Sequence, residues 1–275
     1  MKVLDHFRNY HDKTYFLFRK AHEKELERVE TVNDFLKDVV EKNDFSMCIK
    51  LDAFKKAASD NCFKNMMETS YGTTVGGFDT RKQVVSTLFD VDAGKLAPEE
   101  FPKFGLLTGK DKMKDLLRDE DVFYHFGQIL VTFKKQNLME RTTMTVGSSV
   151  NFGEFFRKVP VFVENPNALA LTGSVDKNPA LKIKNIDGFH AFYTFVIMEK
   201  LNSGFPNHIT EVFEGRFGFE YYELQFFGKL TFDDVERIDY YPIEGNEKEE
   251  LEAMKPFFDE RGIVCESLIP ESFFI

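Results

Sequence analysis

Apolar residues recur at helical spacing from about residue 4 to residue 43, at Phe7, Tyr10, Tyr15, Phe16 and Phe18, then at Val29, Val32, Phe35, Leu36, Val39 and Val40. The spacing predicts two helices with a break near residues 30–33. A short strand over 46–51 and a helix over 54–67 come next. The stretch SYGTTVGGF at 70–78 reads as loop, because its glycines and hydroxyl residues carry no period. Asp79 then caps a helix running to Phe89. Residues 92–102 read as a connection and 104–107 as a strand.

The β signal strengthens beyond this point. VFYHFGQILVTF (122–133) and RTTMTV (141–146) are rich in β-branched and aromatic residues, which suit a pleated surface. Residues 151–184 carry Pro160, Pro166 and Pro179 and read as irregular, while 186–201 reads as a buried helix. A strand over 220–230, a turn or short helix over 230–235 with Thr231 as its cap, and a strand over 236–241 follow. Residues 246–260 read as an exposed helix, with Asn246 and Glu249 in capping-box positions. The strands come without regular crossover helices between them, so the fold class is α+β, with an N-terminal helical region (1–45) packed on a core formed by 46–275.

Composition removes several function classes. Thirty-six basic against 46 acidic residues leave a net charge of −10, which argues against a non-specific nucleic-acid binder. Apolar residues at 43% suffice for a core, and 32 Phe with no Trp make phenylalanine its main filler. Three cysteines without CxxC spacing suit a reducing, intracellular setting and argue against a structural zinc motif. No signal-peptide core or 18-residue apolar run occurs, so neither a classical export signal nor a membrane span is expected.

Familiar catalytic motifs are missing as well. Gly105 to Asp111 is similar to a phosphate loop but is one residue short between its glycines, and Asp111 stands where a hydroxyl is needed. The six histidines form no HExxH pattern, and no GxSxG elbow exists. No metal is expected. What stands out is polar residues inside apolar strands. Alternation puts Tyr221, Glu223, Gln225 and Phe227 on one face of the late strand, and Arg141, Thr143 and Thr145 on one face of another. A carboxylate and an amide beside large aromatics are costly unless that face meets a ligand or water. A cation with two hydroxyls suits a diphosphate or ribose, although β-propensity alone also accounts for the threonines.

Five pieces of the chain resemble an uncharacterised bacterial family usually placed in the ADP-ribosyltransferase superfamily: FKNMMET (63–69), TVGG (74–77), FPKFG (101–105), ERTTMTVGSS (140–149) and YYELQFFG (221–228). The last, an aromatic-x-Glu-x-Gln-x-x-Gly strand followed by Asp234-Val235-Glu236, is the most specific; the resemblance spans about 47–242. It implies a split antiparallel β-sandwich with NAD as substrate in the cleft, nicotinamide release, and ADP-ribose transfer to a protein side chain, with arginine as acceptor. It further implies Glu223 as the catalytic carboxylate, with Lys64, Thr69, Arg141, Thr143, Thr145 and Gln225 as NAD-binding residues. A fixed carboxylate facing the ribose would stabilise the positive charge that develops there. The sequence departs from the pattern in two places. Lys64 stands where arginine is usual, and Glu223 precedes Gln225 where many relatives place the catalytic glutamate second. NAD hydrolysis, or binding without turnover, are the rival readings. The acidic stretch at 246–275 is similar to the translocation signal of Legionella-type effectors, which implies a host protein as acceptor; a solvated helix with a docked tail is the other reading of that stretch.

Overall fold

The computed structural model describes residues 40–69, 77–89, 91–108, 127–146, 222–240 and 246–267, together with Val3 and Asp5. The N-terminal helices up to residue 39, the 151–184 segment and the helix predicted over 186–201 lie outside the described residues. In chain order the elements are β1 (Asp44–Ile49), α1 (Leu51–Asp60), α2 (Met66–Thr69), α3 (Gly77–Phe89), β2 (Lys103–Thr108), β3 (Ile129–Phe133), α4 (Lys135–Leu138), β4 (Thr142–Val146), β5 (Tyr222–Phe226), β6 (Val235–Tyr240), α5 (Asn246–Ala253), α6 (Lys255–Asp259) and β7 (Val264–Ser267).

The chain divides into two units, and the division is not a single cut. One unit takes Met1–Glu41, Gly76–Glu100 and Thr145–Glu220, the other Lys42–Val75, Phe101–Met144 and Tyr221–Ile275. In the first, Val84, Val85 and Phe89 of α3 are buried. The Ser86 hydroxyl accepts from the Ala93 backbone N–H at 3.1 Å, tying the helix to the turn that follows it.

The second unit is built on the sheet, whose strand order is β4-β5-β2-β1-β3-β6-β7. The pairs β1–β2, β1–β3, β2–β5 and β3–β6 run antiparallel, and β6–β7 runs parallel. The α+β class and a mostly antiparallel sheet are therefore observed. All seven described strands lie in one sheet, so the second sheet of the expected split sandwich is not found among them.

Alternation gives the sheet two different faces. Phe45, Phe133 and Phe226 stand side by side across β1, β3 and β5, with ring centroids 6.1 Å (Phe45–Phe226) and 5.5 Å (Phe133–Phe226) apart. Against this face pack Phe54 of α1, Phe63, Phe232 and Phe258, all fully buried; Phe63 stacks on Phe232 at 4.8 Å, and Phe54 meets both Phe232 and Phe258. Each such ring contributes roughly 1.5–3 kcal/mol by leaving water. Phenylalanine fills this core, as its abundance predicts.

Local chemistry moved several boundaries. The helix predicted over 54–67 instead starts at Leu51 and stops at Asn61, whose φ of +46° makes a left-handed C-cap. Phe63 then bridges to Leu230, and Asn65 opens α2. The helix predicted over 246–260 is two pieces, because Pro256 has no N–H to donate and so starts α6 afresh. Both pieces belong to the core unit: Leu251 and Phe258 are buried, and Lys55 pairs with Glu250 at 2.7 Å. The predicted Thr231 cap is present, with the Asp234 carboxylate accepting from the Thr231 N–H at 3.0 Å. β7 was not predicted. Its four residues are short and mostly exposed, and only parallel pairing with β6 makes them a strand.

Candidate functional site

The polar residues singled out on β5 share the face opposite the aromatic core. Leu224 and Phe226 point into that core, so Glu223 and Gln225 point away from it, and both are buried, at 3% and 0% exposure. β4 runs alongside, and the Thr143 hydroxyl donates to Gln225 Oε1 at 2.8 Å. Gln225 Nε2 in turn donates to Glu223 Oε1 at 3.2 Å. Thr143, Gln225 and Glu223 thus form one chain in which each donor faces an acceptor. The amide orientation follows from the network, because the reverse would set the amide oxygen against the carboxylate.

Gly105 of β2 makes room for this strand. A Cβ there would lie 2.3 Å from the Ser46 carbonyl oxygen and 2.4 Å from Cε2 of Phe226. Beyond β5 the chain turns at Gly228, whose φ is +76°. Two cations hold that turn. Lys103, with its side chain only 2% exposed, donates to the Gly228 carbonyl at 3.0 Å and pairs with Glu68 at 3.2 Å. Arg141 lies in the turn before β4, where a strand position was predicted. Its guanidinium donates to the Phe227 carbonyl at 3.3 Å, to the Lys229 carbonyl, and to Asp234 at 3.0 Å.

The remaining predicted site residues are placed as follows. Lys64 pairs with Asp60 at 2.6 Å on the surface of α1, and that carboxylate raises the lysine's pKa. The Thr69 hydroxyl bonds back to the Asn65 carbonyl at 3.3 Å. Thr145 lies on β4, but its side chain is outside the described set. The structure therefore gathers Glu223, Gln225 and Thr143, holds Arg141 at the nearby turn, and places Lys64 and Thr69 in local contacts of their own.

Sequence reasoning missed Lys103. Its signal was a lysine in an otherwise apolar run, between Pro102 and Phe104. It also missed Glu68, whose carboxylate caps α2 by accepting from the Asn65 N–H at 2.8 Å, while Asn65 Oδ1 accepts from Met67 and Glu68.

The polar character continues across the same face of the sheet. Ser46 on β1 and Thr132 on β3 are buried with their hydroxyls 3.4 Å apart. On β6, Arg237 bonds both carboxylate oxygens of Asp239 at 2.8 Å and reaches Glu266 of β7 at 2.6 Å. Its hydrogen bonds to the Asp239 carboxylate hold the Arg237 pKa above its ordinary value. Burial pushes the Cys48 and Cys265 thiols up to about 12, which leaves them poor nucleophiles at neutral pH. Among the described residues no three His, Cys, Asp or Glu side chains cluster so as to hold a metal, and no helix is long and apolar enough to cross a membrane. An open groove of about 380 Å³ runs along α6 and β7, at the opposite end of the sheet from β4 and β5.

No protein-family model, curated protein or solved structure matches the chain.

Proposed function

We propose that the chain cleaves NAD at the nicotinamide–ribose bond and transfers the ADP-ribose to a protein side chain, with Glu223 as the carboxylate that stabilises the ribosyl cation. One observation carries this reading: a carboxylate on the strand next to the sheet edge, taken out of water and held by an amide that a threonine on the edge strand orients. A buried carboxylate with a fixed hydrogen-bond donor is preorganised to oppose positive charge, and low dielectric strengthens the effect. Glu223 and Gln225 belong to the piece of sequence that most specifically resembles the ADP-ribosyltransferase superfamily, and Thr143 to another of the five; the reading also implies that superfamily's split sandwich. Arginine as acceptor, a host protein as its source, and delivery as a secreted effector belong to this reading.

A second reading has its own support. Arg141 is engaged with Asp234 and two carbonyls, and Lys64 with Asp60, so both expected NAD-binding cations have their charge turned to the protein's own groups. That arrangement favours a module that binds a partner without turnover. Incubation of the purified protein with adenine-labelled NAD and cell lysate separates the possibilities. A labelled protein band that Glu223→Gln abolishes supports transfer, and nicotinamide release without a band indicates hydrolysis. The absence of both products, at high enzyme concentration and across several lysates, would refute the catalytic reading.

A further inference from the structure

We infer that Lys103 and Arg141 form a two-cation clamp on the turn after β5, and that the clamp sets the position of the Glu223–Gln225 pair. Three successive carbonyls of that turn, those of Phe227, Gly228 and Lys229, accept from the two side chains. The two cations reach the turn from different elements, Lys103 from the first residue of β2 and Arg141 from the residue before β4. Each is fixed behind by a carboxylate that caps a helical turn. Glu68 pairs with Lys103 and closes the α2 cap, while Asp234 pairs with Arg141 and accepts from Thr231. Four of the five pieces of sequence described above supply a member: Glu68, Lys103, Arg141 and Phe227–Gly228. Only Phe226 separates the turn from Gln225.

The chemistry of the pair explains why this is positioning and more than packing. A lysine with a nearly inaccessible side chain is a poor source of net stability, since desolvation offsets most of what its ion pair returns. What a buried, directional cation supplies is specificity of geometry: the Gly228 carbonyl can meet Lys103 Nζ in only one register of β5 against β2. A slip of one residue would turn Glu223 and Gln225 into the aromatic core. Lys103 and Arg141 are therefore positioning residues for the strand, and their link to catalysis rests on the function proposed above.

The test separates the clamp from that function. Lys103→Met combined with Glu68→Gln removes both charges, keeps similar volumes, and leaves an amide oxygen able to accept from the Asn65 N–H. Amide hydrogen exchange, read residue by residue, should quicken at least tenfold across Glu223–Phe226. At Leu130 and Val131 of β3 it should stay within twofold of wild type. Arg141→Lys, which retains the charge but not the fork that holds the two carbonyls through Nη1 and Asp234 through Nη2, should show the same local pattern. It alone decides the matter if the double variant does not fold. Unchanged exchange on β5, or equal acceleration on β3 and β5, overturns the clamp. In the kinetic arm, nicotinamide release should lose about tenfold in kcat with KM unchanged. A wild-type protein that releases no nicotinamide defeats the proposed function and leaves the exchange result to judge the clamp.

Discussion

Replacing Thr143 with valine removes one hydroxyl and almost no volume, and the structure says what that hydroxyl does. It donates to Gln225 Oε1 at 2.8 Å, and Gln225 has no exposed surface from which water could replace it. An ordinary intramolecular hydrogen bond is worth about 1 kcal/mol, but a buried acceptor stripped of a donor costs about 1–3 kcal/mol. Thr143→Val should therefore destabilise the protein by about 1–3 kcal/mol. Thr143→Ser keeps the hydroxyl and loses a methyl group from a half-buried side chain, so it should cost less than about 1 kcal/mol. Urea unfolding of both variants beside wild type, with equal slopes, would measure this. The order of the two variants is the decisive point. The loss should also loosen the Gln225 amide, weakening the donation to Glu223 and lowering any NAD cleavage in Thr143→Val more than in Thr143→Ser. If valine matches or exceeds serine in stability, the hydroxyl does not hold the amide, and the chain from Thr143 to Glu223 is not a working unit.

Glu223→Gln should cut nicotinamide release by roughly a hundredfold or more while NAD affinity by calorimetry stays near wild type, because a group that opposes transition-state charge acts little in the ground state. Near-normal turnover in a folded variant would remove Glu223 from the chemistry. Gly105→Ala places a methyl group against the Ser46 carbonyl and the Phe226 ring, so thermal or urea unfolding should show a loss of about 1–3 kcal/mol, the usual cost of overpacking; a neutral result would mean that β2 and β5 are not in the register described. With their thiols pushed up to about 12 from an ordinary 9, Cys48 and Cys265 should react with a thiol reagent at pH 8 about a thousandfold more slowly than in the unfolded chain, as mass spectrometry of the modified sites would show. The sign follows from linkage. The unfolded thiols ionise first, so these groups withdraw stability as pH rises from about 9 toward 12 and have no effect below that window.

Much of the local structure could be read from residues alone, because it rests on short-range rules. The runs at 129–133, 142–146 and 222–226 are strands where β-branched and aromatic residues cluster, and Thr231 caps its turn through Asp234 three residues on. Alternation put Glu223 and Gln225 on one face, and that is how they stand. The composition foretold a phenylalanine core, and the rings of Phe54, Phe63, Phe226 and Phe232 supply it.

Other features were decided only when distant segments met. Arg141 looked like a ligand-facing strand residue, yet its guanidinium turns to Asp234 and two carbonyls, because a cation in a low-dielectric turn takes the nearest fixed acceptors. Lys103 sat in the FPKFG piece with no period to mark it as functional; its importance comes from Glu68, which is 35 residues earlier, and Gly228, which is 125 residues later. The seven-stranded order and the parallel β7 are likewise pairings between segments, invisible in windows of a dozen residues. Periodicity records which side of an element avoids water. Which partner covers that side, and which carbonyl a buried charge finds there, is decided by long-range packing and belongs to the tertiary structure.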